Sequence, residues 1–183
     1  MQNVPVSRQA GYTLTELIIV VTILAVVAAI AVPATASNES ERLELAAQEI
    51  AAAMRFARSE ALRTGEPHGF RQQSGAKRIR VFRLDQGTSP ATLIYDVYHP
   101  VDKQLYDFDL NLQSLAAADS LSRTAVFRGT CNQQGNVFFD ADGTPWCADP
   151  DTVLLDTFEV DLILGYSRRT VILDDITGRV AVQ

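Results

Sequence analysis

The chain has 183 residues, of which 47% are hydrophobic and 21% are charged. These fractions are close to globular averages and exclude a collagen-like or a largely disordered protein. The length predicts one domain that buries about 70% of the surface exposed by its unfolded chain. Sixteen basic and twenty-two acidic side chains give a net charge of −6. This balance argues against non-specific nucleic-acid binding over the whole surface and leaves a local basic patch open.

An apolar run from Leu14 to Val32 contains a single charge, the carboxylate of Glu16. As a helix it would be about 28 Å long, close to the ~30 Å hydrocarbon core of a bilayer. The segment before it carries Arg8 and no acid, so the positive-inside rule keeps this end in the cytoplasm. We therefore expect a single membrane pass, with residues 34–183 outside the cytoplasm.

Two kinds of processing are compatible with this segment. Ala34-Thr35-Ala36 has the small-x-small pattern after which a general signal peptidase cuts. That alternative leaves Glu16 unexplained, because a charge inside a bilayer costs roughly 2.5–3.5 kcal/mol on insertion scales and indicates a function. Cleavage between Gly11 and Tyr12 would instead free an α-amino group one helical turn from Glu16, where it can neutralise the carboxylate.

The segment GYTLTEL at residues 11–17, with its basic leader and long apolar run, resembles the prepilin signature of type IV pilins and pseudopilins. Tyr12 stands here in place of the usual Phe, and Thr15 in place of the usual Ile. The resemblance implies that a prepilin peptidase cuts after Gly11 and that Tyr12 is N-methylated. It also implies that Glu16 pairs with the amine of a neighbouring subunit during filament assembly.

A second helix is predicted beyond Pro33. This proline suits the family, in which a proline commonly kinks the assembly helix, but it would equally well end the span. From Ser40 to Arg63, apolar residues recur every three or four positions on a narrow, alanine-rich face that can pack closely on a sheet. Thr64-Gly65 closes this helix. Within it, the segment ARSEA at residues 57–61 resembles the FimT/FimU/GspH branch of minor pilins.

Short runs with β-branched and aromatic residues follow Pro67 and predict strands. The predicted strands are His68–Gln72, Arg78–Leu84, Thr92–Tyr98, Asp107–Leu112, Thr124–Phe127, Asn136–Asp140, Val153–Leu164, Tyr166–Leu173 and Gly178–Val182. The almost strict alternation in Arg78–Leu84 predicts one buried face and one wet, basic face. Turns are expected at Asp142-Gly143, Leu164-Gly165-Tyr166 and Thr177-Gly178. The last two runs resemble the final hairpin of the GspH/FimT domain.

The expected fold is α+β and pilin-like, with a long N-terminal helix packed on an antiparallel β-sheet head. The first half of that helix spans the membrane. We predict a leader at residues 1–11, a transmembrane and assembly helix at 12–33, an amphipathic second half of the helix at 34–65, and a GspH/FimT-type β-rich head at 66–183.

The simplest interpretation of the two cysteines, Cys131 and Cys147, is a disulfide in an exported head, which would stabilise the fold by about 3 kcal/mol. The alternative is two unpaired buried thiols. We expect no metal site and no cofactor, because there is no Cys-x-x-Cys and the two histidines are far apart in sequence. Asp140-Ala141-Asp142-Gly143 resembles the start of a calcium loop but lacks the EF-hand spacing, which favours a hairpin turn. Catalytic motifs such as Gly-x-Ser-x-Gly and His-Glu-x-x-His are missing from the sequence, so we do not expect this protein to be an enzyme.

Charge is unevenly distributed along the chain. Residues 55–83 hold eight basic and two acidic side chains, whereas residues 84–183 hold six basic and fifteen acidic ones. A basic face of this kind would be solvated, would dock to the acidic face of a neighbouring subunit, or would bind DNA. The candidate docking residues are Arg78, Arg80, Arg83, Arg168, Arg169 and Arg179. FimT-like minor pilins of some competent bacteria bind DNA through a C-terminal Gly-Arg-x-Arg pattern. This chain keeps Gly178 and Arg179 of that pattern but has Ala181 in place of the second arginine.

Together these features predict a minor pilin, assembled at or near the tip of a type IV pilus after cleavage and N-methylation. Two alternatives remain: an H-type minor pseudopilin of a type II secretion system, and a DNA-binding minor pilin for DNA uptake. The expected partners are other pilin or pseudopilin subunits, the prepilin peptidase, and the inner membrane before assembly.

Overall fold

The computed structural model describes residues 12–31, 38–72, 77–110, 120–127, 136–148 and 153–183. These residues form two helices and ten strands. The helices are α1 (Leu14–Ala31) and α2 (Asn38–Thr64). The strands are β1 (His68–Gln72), β2 (Arg78–Asp85), β3 (Thr92–Ile94), β4 (Asp107–Asp109), β5 (Ser120–Phe127), β6 (Val137–Phe139), β7 (Pro145–Cys147), β8 (Leu155–Leu164), β9 (Ser167–Leu173) and β10 (Val180–Val182). The chain divides into two compact units, Met1–Asn38 and Glu39–Gln183.

Helix α1 makes up the described part of the first unit. It carries one acid in its first turn, Glu16, and its side chains from Leu14 to Val27 are exposed. None of the helices in the described ranges is long and apolar enough to cross a membrane. The predicted end of the span at Val32 and Pro33 lies outside those ranges, so the membrane pass remains a prediction.

Helix α2 confirms the predicted helix and exceeds it by two residues at its N-terminal end and one at its C-terminal end. Its stripe of small and apolar side chains is completely buried: Leu43, Ala46, Ala47, Ile50, Ala53, Met54, Ala57 and Ala61. Gly65 ends the helix at a φ of 70° and donates its N–H to the Ala61 carbonyl oxygen at 2.9 Å. A left-handed residue at this position satisfies a carbonyl that the helix end leaves free.

All strand pairs are antiparallel, and they form two sheets. The first has the order β3-β2-β1-β6-β7, with β4 also paired to β2, and the second has the order β10-β9-β8-β5. Strand β3 ends at Ile94 rather than at the predicted Tyr98, and β7 was not predicted. The expected turns are confirmed, since Gly143, Gly165 and Gly178 all have positive φ.

The main core lies where α2 contacts both sheets. Its cluster joins the buried stripe of α2 to Phe70 and Val81 of the first sheet and to Phe158 and Val171 of the second. The rings of Phe70 and Phe158 meet edge to face, with centroids 6.1 Å apart. The predicted α+β arrangement of a helix packed on antiparallel sheets is therefore confirmed.

A second, smaller core corrects the expectation that β2 has one wet, basic face. Alternate residues of a strand point to opposite faces. Ile79 and Val81 enter the main core, whereas Phe82 and Leu84 are buried in another cluster with Phe138. On that second face only Arg78 and Arg80 reach solvent, because Phe82 and Leu84 are buried in the smaller core.

Candidate functional site

The N-terminus of α1 holds Glu16 in a reciprocal contact with Thr13. The Thr13 N–H donates to Glu16 Oε2 at 3.4 Å, and the Glu16 N–H donates to Thr13 Oγ1 at 3.3 Å. This arrangement is a capping box, in which the first and fourth residues satisfy each other's backbone N–H groups. It places the carboxylate at the start of the helix, beside the exposed Tyr12. Gly11, the predicted cleavage residue, lies outside the described residues.

Thr13 is a residue that the sequence reasoning passed over. The Thr-x-x-Glu pattern at residues 13–16 is itself a helix-start signal and could have identified it. The prepilin resemblance implies only a partner's amine as the contact of Glu16. The structure adds that the carboxylate already has hydrogen-bond donors within its own chain.

The predicted turn after β6 is organised by Asp140. Its Oδ1 accepts the N–H groups of Asp142 at 3.0 Å and Thr144 at 2.9 Å, and its Oδ2 accepts the Trp146 indole N–H at 2.7 Å. Strands β6 and β7 pair on either side. Three protein donors therefore use this carboxylate, which is the chemistry expected of a hairpin turn.

Cys147 is fully buried in β7, and its backbone N–H donates to the Val153 carbonyl oxygen at 2.8 Å. Its predicted partner, Cys131, lies outside the described residues. The disulfide therefore remains a prediction.

Three candidate docking arginines on β2 are paired with acids of the same chain. The Arg78 guanidinium donates to both carboxylate oxygens of Asp107, at 2.6 and 2.8 Å. Arg80 lies 3.0 Å from the same carboxylate. Arg83 donates to Asp96 at 2.8 Å. The surface around these arginines is therefore not purely basic, because each of them lies next to an acid.

The two arginines on β9 are also paired. Arg168 contacts Asp161 of β8 at 2.8 Å. Partial burial would raise the pKa of Asp161, but hydrogen bonds from Arg168 and Thr170 outweigh it, and the pKa is lowered. Arg169 donates to Glu44 of α2 at 2.8 Å.

Arg179 is exposed and has no ion pair with an acid among the described residues. It lines a cleft together with Arg55 and Arg58 of α2. These two helix arginines belong to the basic segment of residues 55–83 but are not among the docking residues predicted from the sequence. Their i,i+3 spacing places both on one helix surface and could have identified them.

Arg58 lies between two hairpin turns. Its Nε donates to the Gly143 carbonyl oxygen at 3.2 Å. A Cβ on Gly143 or on Gly178 would lie 2.9 Å from that Nε. Both turns therefore need glycine, for its backbone conformation and for the space that Arg58 occupies.

Comparison with known families agrees with this architecture. Residues 6–32 match the prokaryotic N-terminal methylation motif, and residues 46–175, more than half of the chain, match the family described as type II transport protein GspH. The chain belongs to the GspH family. This is a family of structural, non-enzymatic pseudopilins, and the resemblance identified from the sequence is confirmed.

No curated protein matches this GspH-family chain. A similar solved structure is the minor pseudopilin EpsH from the type 2 secretion system of Vibrio cholerae. It is 13% identical, with a TM-score of 0.49, and the match covers 78% of this chain and 96% of that one.

Proposed function

We propose that this GspH-family chain is an H-type minor pseudopilin, a structural subunit of the short filament of a type II secretion system. One observation carries the proposal: the same chain joins a methylation motif at residues 6–32 to a GspH-type head at residues 46–175. The family description supports secretion better than it supports the type IV pilus predicted from the sequence. The chain would sit in the inner membrane with its head in the periplasm, and then enter the filament.

Glu16 would act at the entry step. A prepilin peptidase cuts after Gly11 and leaves a charged amine on Tyr12. The capping box with Thr13 keeps the carboxylate at the helix start, the depth at which a neighbouring subunit presents its own amine. Pairing of the two opposite charges removes the cost of an isolated carboxylate in lipid and favours extraction into the filament.

The test replaces Glu16 with Gln in the full chain in cells. Glu16→Gln keeps the shape of the side chain and removes its charge, so we expect normal cleavage and loss of filament incorporation, measured by shearing and immunoblotting. Glu41→Gln, an exposed acid in the first turn of α2, is the matched control and should be incorporated normally. Normal incorporation of Glu16→Gln would refute the role of the carboxylate.

The intact mass of the mature chain tests the processing step. Cleavage after Gly11 leaves 172 of the 183 residues plus one methyl group, whereas a signal peptidase cut after Ala36 leaves 147. A mature chain of 147 residues would remove Tyr12 and Glu16 and contradict the proposal.

A minor pilin near the tip of a type IV pilus is the second candidate, favoured by Pro33 and by the segment at residues 57–61. Deletion of the gene separates the two. Loss of exported enzymes with normal surface pili supports the pseudopilin, whereas loss of pili with normal secretion supports the pilin.

DNA binding has less support, because five of the six candidate arginines have acidic partners. A salt-dependent gel shift lost in Arg179→Ala would restore it.

A further inference from the structure

Three arginines without an ion pair in the described part of the chain converge on one cleft of the head. The cleft has a volume of about 340 Å³, and its walls are Arg55, Arg58, Ser59 and Leu62 of α2 with residues 178–180 at the start of β10. Among the described residues, none of the three arginines forms an ion pair. The five predicted docking arginines of β2 and β9 all do, so this cleft differs from the predicted docking arginines on those strands.

Backbone carbonyls hold two of these guanidinium groups in place. Arg55 Nη2 donates to the Val180 oxygen at 3.1 Å, and Arg58 Nε donates to the Gly143 oxygen at 3.2 Å. A guanidinium has five N–H donors, and a carbonyl oxygen takes up one without neutralising the charge. Asp174, on which Arg179 acts electrostatically, is engaged mainly by its own turn: the Thr177 hydroxyl and backbone N–H bind it and lower its pKa, and Arg179 adds only a smaller effect. The cleft therefore holds preorganised donors and an excess of positive charge.

We propose that this cleft binds the carboxylate side chains of an acidic segment on a neighbouring filament subunit. Arginine forks bind carboxylates in a bidentate manner, and Leu62 and Val180 give the methylene groups of Asp or Glu an apolar wall. A nucleic acid fits less well, because residues 84–183 carry fifteen acids against six basic groups and would repel a long phosphate chain. The carboxylate chemistry stands on the cleft alone, and the identity of its source rests on the proposed function.

The binding chemistry is tested with the full chain in detergent micelles and a fluorescent penta-glutamate peptide, by anisotropy at low and high salt. We expect salt-sensitive binding that Arg55→Ala and Arg179→Ala each weaken by about fivefold or more. Lys103→Ala, which removes an exposed charge outside the cleft, should leave the affinity within about twofold. Arg58 is left intact because it also holds two turns.

Two results would overturn the carboxylate assignment. One is that Arg55→Ala and Arg179→Ala bind the peptide with the same affinity as the unaltered chain. The other is tighter binding of a single-stranded oligonucleotide of equal charge, lost in the same variants, which would assign the cleft to phosphates. This assay needs no filament, so it can succeed even if Glu16→Gln shows that the proposed function is wrong.

The source is tested in cells with a photocrosslinking amino acid in place of Ser59, an exposed residue of the cleft wall. We expect a crosslink to a subunit of the same filament, through a peptide that contains Asp or Glu, and its loss in Arg55→Glu/Arg179→Glu. Exchange of the partner's acid for Arg should then restore the crosslink in that variant. A crosslink that survives the double charge reversal, or one to no filament subunit, would refute the assigned source.

Discussion

Three glycines of the head separate the cost of a backbone conformation from the cost of a steric overlap. Gly65 has a φ of 70° and open space where a Cβ would lie. At Gly69, in β1, a Cβ would overlap the Phe82 ring and lie 2.5 Å from the Val137 carbonyl oxygen. Gly178 combines both features, with a φ of 64° and a Cβ position 2.5 Å from the Gly143 carbonyl oxygen. Alanine at each position therefore tests a different contribution.

The expected magnitudes follow from these geometries. A left-handed alanine costs about 1–2 kcal/mol, from which the lower entropy of the unfolded chain recovers about 0.4–1 kcal/mol. Gly65→Ala should therefore destabilise the head by about 1 kcal/mol. Overpacking costs about 1–3 kcal/mol, and a backbone oxygen cannot rotate away, so Gly69→Ala should lose about 3 kcal/mol. Gly178→Ala carries both costs and should lose about 4 kcal/mol.

The assay is urea unfolding of the full chain in detergent micelles. The fluorescence of Trp146, the one tryptophan of the sequence, and the far-ultraviolet circular dichroism of the sheets are followed together. Gly65→Ala is the control for the other two variants. If Gly69→Ala or Gly178→Ala proves no more destabilising than Gly65→Ala, the close contacts are not those of the folded head and the reasoning is refuted.

Further predictions concern the core, the Asp140 turn and one ion pair. Phe158→Ala should lose about 3–5 kcal/mol of unfolding free energy, because the ring is buried between the two sheets, and a loss below about 1 kcal/mol would contradict that placement. Asp140→Ala should cost about 2 kcal/mol and shift the emission of Trp146 to longer wavelength; calcium-dependent stabilisation of the unaltered chain would contradict the turn assignment. Because the folded pKa of Asp161 is depressed, its stabilisation is present above its ordinary value of 3.8 and disappears as the pH falls through the folded pKa. Asp161→Asn should thus have a lower melting temperature than the unaltered chain at pH 7. The difference should narrow as the pH falls below 3.8, whereas a difference that does not change with pH would contradict the pairing.

Local signals in the sequence were enough for α2 and for the hairpin turns. The spacing of its small apolar residues identified the buried face of α2, because a helix turns every 3.6 residues regardless of its surroundings. Gly143, Gly165 and Gly178 marked turns because only glycine readily adopts a positive φ. Strand β7 escaped prediction, since three residues that begin with Pro145 carry no alternation.

Contacts between segments that lie far apart in the sequence could not be predicted from such local signals. The alternation in β2 suggested that every second side chain was solvated, yet Phe82 is buried because β1 has Gly69 directly opposite and leaves room for the ring. The partner of Arg78 lies on β4 and that of Arg169 lies on α2, so strand pairing brings the first pair together and packing of the helix on the second sheet brings the second. Charge counted along the chain therefore overestimated the basic surface.

The same pairing explains where recognition can occur on a head with an excess of acids. An arginine that already has a carboxylate must give it up before it can bind another, so its net contribution to docking is small. Arg55 and Arg179 have no ion-paired acid to give up in the part of the chain that the structure describes: Arg55 donates to the Val180 carbonyl oxygen, and Arg179 is exposed. Folding thus pairs five of the six candidate docking arginines with acids of the same chain. Within the described ranges, the cleft instead brings together three arginines without an ion pair, where a partner's carboxylates would meet donors already in position.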